Sequence, residues 1–437
     1  MALCTRQPPF FATCRRRKVD VSFDGGDITS DAGGALLLRQ AEKRLGLLND
    51  VAQMIGDDRR RKSVVHPLHS LLMQRVLGIA LGYEDLNDHD TLRKDVALQT
   101  AAGRLDELAS PSTLGRLERR ADESWVWLIH QVLFTKFIDS FDAPPKELVL
   151  DFDATDDPIH GNQERRFFHG YYDQYCFLPL YVFCGSHLLV AYLRPSNIDA
   201  AKHSAGILKL LVTRLREVWP KVRIIVRADS GFCRQRLMNW CDRSDVGYVI
   251  GLARNDVLLR NAAGLMKEAA ERFAATGRST RVFGDMAYAA KTWLYERRVV
   301  VKAEHLAKGQ NPRFVVTNLP HEGRRLYEKV YCARGEMENR IKEQQLGLFA
   351  DRTSSTTWWT NQMRVLLSGL AYVLVDYLRR VGLAGTELAK AQVWTLRERL
   401  LKIGAVVIRN TRRIRLMLSS AFPLQEIFWL AARRLAT

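Results

Sequence analysis

One stretch limits what this chain can become: LVLDFDATDD, Leu148 to Asp157, drives an apolar strand into a cluster of carboxylates. The two-residue period of a strand puts Leu148, Leu150 and Phe152 on one face and Val149, Asp151 and Asp153 on the other. The spacing therefore predicts a carboxylate pair emerging together at the strand end. Buried strands carry acids where these are paired or hold a metal, because moving an ionised carboxylate out of water is expensive. A strand-to-turn junction with solvated aspartates is the alternative, so the choice depends on matching acids elsewhere.

Two such acids follow. VRIIVRADSGF, Val222 to Phe232, is a second apolar strand ending in Asp229, with Ser230 and Gly231 allowing a sharp turn. YCARGEMENRIKEQQL, Tyr331 to Leu346, has no Gly or Pro after Gly335 and reads as helix. On it, Tyr331, Arg334 and Glu338 stand at i, i+3 and i+7, with Lys342 one turn further, along one face. Two strand-end aspartates and a helical glutamate can hold two divalent cations about 4 Å apart, the arrangement used in phosphodiester chemistry.

These residues resemble a known family. The chain is similar to DDE transposases of bacterial insertion sequences, most closely the thirteen-eighty group. That family's signature of tyrosine, two residues, arginine, three residues and glutamate falls on Tyr331, Arg334 and Glu338, and a lysine four residues later matches Lys342. Gln345 departs from the pattern, standing where related transposases carry another lysine. The resemblance runs through LVLDFDATDDPIHG, RADSGF, GEMENRIKEQQLGLFADRTS and NQMRVLLSGLAYVL, from about Asp24 onward. It implies an α/β chain with an RNase-H-like catalytic core interrupted by a β-rich insertion domain. It also implies that Asp153, Asp229 and Glu338 are catalytic residues holding two Mg²⁺ ions, with Mn²⁺ as a substitute, and that Tyr331, Arg334 and Lys342 contact DNA.

Composition agrees with a nucleic-acid partner. The net charge of +18 and isoelectric point near 9.7 favour a polyanion, since Lys and Arg release counterions from phosphates. At 47% hydrophobic, the 437 residues suffice for two or three folded domains. Seven cysteines with no CxxC pair argue for a reducing compartment and against structural zinc. No apolar run reaches membrane-spanning length and the N-terminus lacks a signal-peptide core, so a cytoplasmic, nucleoid-associated protein is expected.

Along the chain, residues 1–20, with Arg15 to Lys18, are expected to be a mobile basic arm or a solvated tail. Residues 21–145 read as an N-terminal helical DNA-binding domain. Within it Ser110 and Pro111 start a helix that projects Arg116, Arg119 and Arg120, as a recognition helix or as a solvated basic face. Arg59 to Lys62 is a second candidate phosphate contact or a plain loop. Ala143-Pro144-Pro145 marks a boundary before the core's first part, 146–252: a hairpin, a helix from Ala200 to Trp219, the Asp229 strand, another helix and a fifth strand. Strands one to three, a helix, then strand four is the order an RNase-H-like core requires. Residues 253–330 make the β-rich insertion, where Trp293 beside Lys291, Arg297 and Arg298 stacks on an unpaired base or packs in a core. The core resumes at 331–385, with the TWWTNQ helix packing against it, and 386–437 is a basic region with a hairpin about Asn410-Thr411 that shows Arg409, Arg413 and Arg415 on one face. His160 and His169 are read as ordinary histidines, because Mg²⁺ prefers oxygen. The function expected is a cut-and-paste transposase, a homodimer in its synaptic complex with element ends and target DNA. A host nuclease on DNA junctions and a domesticated DNA-binding repressor are the alternatives.

Overall fold

The computed structural model describes residues 11–25 and 29–436. The chain divides into two compact units, one of Met1–Asp139, Ile159–Arg165 and Ile341–Thr437, the other of Ser140–Pro158 and Arg166–Arg340. No helix among the described residues is long and apolar enough to cross a membrane.

The second unit is built on one mixed sheet. Its strands are β1 (Glu147–Ala154), β2 (Leu180–Cys184), β3 (His187–Tyr192), β4 (Arg223–Ala228), β5 (Gly247–Leu252), β6 (Thr280–Tyr288), β7 (Arg297–Leu306) and β8 (Arg313–Thr317). They lie side by side in the order β6-β7-β8-β5-β4-β1-β2-β3, with a short ninth strand, Gly309–Gln310, on β7. β1, β2 and β3 are antiparallel, whereas β4 and β5 run parallel to β1. Parallel neighbours need crossovers, and the helices Ser204–Val218 and Gln235–Arg243 supply them. The strands, the hairpin and both helices stand where the sequence pattern predicts them.

The strands at 280–317 were expected to form an insertion domain, but they continue this sheet. β8 takes the free edge of β5 in antiparallel register, Ile250 opposite Val316. One apolar layer explains the continuity: Ile225, Val249, Val300 and Val315, from four adjacent strands, are buried together under Leu326 and Tyr327 of the helical run that follows. Full burial of a side chain such as Leu326 contributes about 1.5–3 kcal/mol.

The first unit joins the two ends of the chain. Phe11–Cys14 and Arg17–Gly25 form a hairpin whose turn residues Arg15 and Arg16 have φ of 45° and 65°. Its second strand lies parallel to Arg413–Ser419, which pairs with Ala405–Arg409 about Asn410 as predicted. Residues 11–20 are therefore sheet rather than a mobile arm, and residues 1–10 of that expected arm lie outside the described residues. Arg409 pairs with Ile414 and so shares its face, while Arg413 and Arg415 point the other way. The helix predicted from Ser110-Pro111 is present as Pro111–Arg119. Trp358–Tyr377, expected against the catalytic core, packs instead on the N-terminal helices, Leu68–Leu81 foremost, because nearly its whole circumference is apolar and buried.

Candidate active site

β1 carries two acids on one face, but the structure gives them different surroundings. Asp151 is buried mid-strand and does not emerge beside Asp153, which corrects the expected pair. The β1–β4 register sets Asp151 opposite Arg227, whose guanidinium grips both carboxylate oxygens, Nη2 to Oδ2 at 2.7 Å. Burial pushes the Asp151 carboxyl up, and Arg227 opposes that push. The third arm of Arg227 donates to the carbonyl of Val330 at 2.6 Å. Asp151 thus serves to anchor the helical run toward the third acid.

Asp153 lies two residues on, near the strand end, its side chain 13% exposed. Burial pushes its carboxyl up to about 7; Arg334 pulls it back, and the negative charges of Asp229 and Glu338 add to the rise. Asp229 follows β4 directly and caps a tight turn, Oδ1 accepting from the Gly231 amide at 2.9 Å. Glu338 stands on the helix Gly335–Lys342, half-exposed. Arg334 joins the group: Nη1 donates to Asp153 Oδ2 at 3.1 Å and Nη2 to Glu338 Oε1 at 2.6 Å. Burial weakens the Arg334 charge, but Asp153, Glu338 and Asp229 outweigh it and its pKa rises.

Among the described residues, no three His, Cys, Asp or Glu side chains stand close enough to hold a metal ion. The reason is visible at Arg334, whose guanidinium occupies the space between Asp153 and Glu338. The donor set is all carboxylate, which suits a hard divalent cation. Burial is the main cause of the rise at Asp153, and Asp229 and Glu338 add their negative charge to it, against the pull of Arg334. These residues fit a divalent cation once Arg334 moves aside.

Tyr331 seals one side of the group. Its hydroxyl would lie 2.6 Å from a Cβ on Gly251, with Ser230 N and Asp229 C as the next neighbours, so β5 needs glycine there. The helix expected from Tyr331 to Leu346 forms, but with changing pitch: wide to Tyr331, tight over Cys332–Arg334, then regular from Gly335. Such irregular turns gather at functional sites. Lys342 closes the regular segment, exposed, and is grouped with the first unit.

The remaining candidates are dispersed. Arg116 and Arg119 are exposed on their helix, whereas Arg120 is held by Asp58 and Asp57. Arg59 is taken up by Asp57 and the His66 carbonyl. Trp293 is half-buried between β6 and β7, edge-on to Tyr288 at 5.5 Å. The basic stretch around it is largely satisfied internally: Arg297 bonds Asp242, Tyr248 and Asn239, and Arg298 bonds Asp285 and the Leu319 carbonyl. The six described cysteines are free thiols. Two features escaped sequence reading. Arg227 had a signal, a charge inside an otherwise apolar strand; the aromatic hairpin at 167–177 had one in its run of rings.

Asp153 and Asp229 stand at the ends of adjacent parallel strands, with Glu338 on a helix linked to Asp153 through Arg334. Residues 11–437 match the family described as Transposase DDE domain group 1, and the chain belongs to it: it is a DDE transposase, of a family that uses divalent metals. One solved structure, the cryo-EM structure of the piggyBac transposase synaptic complex with hairpin DNA, aligns over 85% of this chain and 80% of that one, at 12% identity and a TM-score of 0.39. No curated protein matches the chain.

Proposed function

We propose that the chain is a cut-and-paste transposase of the thirteen-eighty group that binds the inverted terminal repeats of its own element and moves it as a homodimer. The observation that carries this reading is the meeting of Asp153 and Glu338 on Arg334, with Asp229 adding its charge. The core is RNase-H-like, its five strands ordered β3-β2-β1-β4-β5 with Asp153 and Asp229 at the ends of β1 and β4. Asp153, Asp229 and Glu338 would hold two Mg²⁺ ions, or Mn²⁺, which would supply activation of water and stabilisation of the leaving oxygen. Arg334 leaves its carboxylates for the non-bridging oxygens of the scissile phosphate, where a guanidinium binds in fork geometry. Tyr331 and Lys342 add contacts to the same backbone. Water attacks phosphorus and the 3′-oxygen leaves as a hydroxyl; that 3′-hydroxyl then attacks a target phosphodiester, so each step exchanges one P–O bond for another. Residues 21–145 and 386–437 bind the element's ends, with Arg116, Arg119, Arg413 and Arg415 exposed for phosphates.

The test is a plasmid carrying the DNA that flanks the gene, incubated with the protein, Mg²⁺ and a target plasmid. Excised element and joined product are expected. Binding without cutting would indicate a repressor, and cutting without joining a nuclease.

A further inference from the structure

Between β1 and β2 the chain makes a small sheet of its own, Asp157–Pro158 and Phe167–His169 pairing with either edge of Gln174–Phe177. Its hairpin, 167–177, displays rings to solvent. Phe167, Phe168, Tyr171 and Tyr175 are 39%, 53%, 85% and 47% exposed, four large apolar side chains within nine residues. They are organised: Phe168 meets Tyr175 edge-on at 5.7 Å, Tyr171 meets Tyr172 at 5.0 Å, and the Arg166 guanidinium lies 4.9 Å over Tyr175. Phe168 and Tyr175 stand opposite each other in the register and share one face of the hairpin, whereas Phe167 lies on the other; exposed, paired rings of this kind suit a binding surface.

The hairpin is tied to the acid-bearing strand. Gln174 Nε2 donates to Asp156 Oδ2 at 2.7 Å, three residues past Asp153, and Ser196 Oγ donates to the Phe167 carbonyl at 2.9 Å. Burial, then the charges of Asp156, Asp153 and Asp229, push the Tyr172 hydroxyl up to about 12, so the base of the hairpin feels the acids. Rings with a guanidinium among them, on a chain of net charge +18, match one ligand chemistry better than others: a polyanion that also offers flat π faces.

We propose that the Phe167–Tyr175 hairpin is a stacking platform for an unpaired nucleotide of the DNA being cut. This rests on the reading of the chain as a DNA transposase, and it moves the stacking role from Trp293 to Phe168, Tyr171 and Tyr175.

The full chain is titrated with two duplexes of arbitrary sequence, one fully paired and one with a short unpaired 3′ end carrying 2-aminopurine. Wild type should bind both, with quenched emission for the unpaired end. Phe168→Leu and Tyr171→Leu keep apolar bulk without a ring, and each should weaken binding of the unpaired end by about tenfold, the scale of one lost stack, while binding of paired duplex is unchanged. Tyr171→Phe should behave as wild type. Leucine variants that bind and quench like wild type would overturn the proposal. So would equal weakening on both duplexes, or a DNA-free dimer that the leucine variants dissolve, which would assign the rings to a second copy of the chain. If wild type binds neither duplex, the transposase reading falls first and takes this one with it.

Discussion

A guanidinium in the middle of a buried strand is costly to desolvate unless every arm finds a partner, and Arg227, 9% exposed, finds Asp151 and the Val330 carbonyl. Through the Val330 carbonyl it holds the helical run that leads to Arg334 and Glu338. Arg227→Lys keeps the charge but cannot serve both partners. We expect a loss of about 1.5–3 kcal/mol in urea unfolding, the scale of charge-assisted hydrogen bonds. We also expect a drop on the order of tenfold in single-turnover DNA cleavage, with affinity for DNA held. A folded variant cutting at the wild-type rate would show that the anchor does not position the acids. His89 tests burial elsewhere. It is fully buried, its Nδ1 3.1 Å from Gln74 Nε2, and burial followed by the Arg75 charge holds its imidazole at about 3. The unfolded chain binds that proton near the ordinary value of about 6.5. Stability from this group is therefore present above about pH 6.5 and lost as pH falls toward 3, amounting to about 2 kcal/mol at pH 5. Urea unfolding of wild type and His89→Gln at about pH 7.5 and about pH 5 should show that much less acid loss in the variant; equal losses would mean that His89 charges in place.

Elements were legible where their signal is local. The period-two runs of β1, β4 and β5, the crossover helices and the Ser110-Pro111 helix start can each be read from about ten residues, and each forms as read. What could not be read is pairing between distant segments. The basic N-terminal residues become sheet because Arg17–Gly25 pairs with Arg413–Ser419, nearly the whole chain away. β8 extends the core sheet because β5 leaves it an edge. Strand period put Asp151 and Asp153 on one face correctly, but only the register against Arg227 shows that one is consumed and the other left at the site. The helix bearing the third acid is the sharpest case. Glu336 and Glu338 are about 200° apart on it. The structure turns Glu336 out, 77% exposed beside Arg340 at 3.9 Å, and Glu338 in, onto Arg334. Glu338→Ala should reduce cleavage of an end-containing duplex with Mg²⁺ by at least a hundredfold, and Glu336→Ala should leave most of it. The reverse ranking would place the wrong acid in the site.

At the scale of the whole molecule, grip and chemistry are carried by different charges. The excess of 66 Lys and Arg over 48 Asp and Glu, much of it on exposed side chains, supplies phosphate contacts whose effect on affinity is spread over many residues. The cutting step is proposed to depend on three carboxylates, and one of them, Asp229, caps a turn through Gly231, a bond that an asparagine oxygen can keep. Asp229→Asn therefore separates the two functions. Measured on one end-containing duplex, the variant should bind with affinity within about twofold of wild type and show no Mg²⁺-dependent strand cleavage. Cleavage at the wild-type rate by that variant would contradict the assignment of Asp229, and with it the three-acid site, to the chemistry of this transposase.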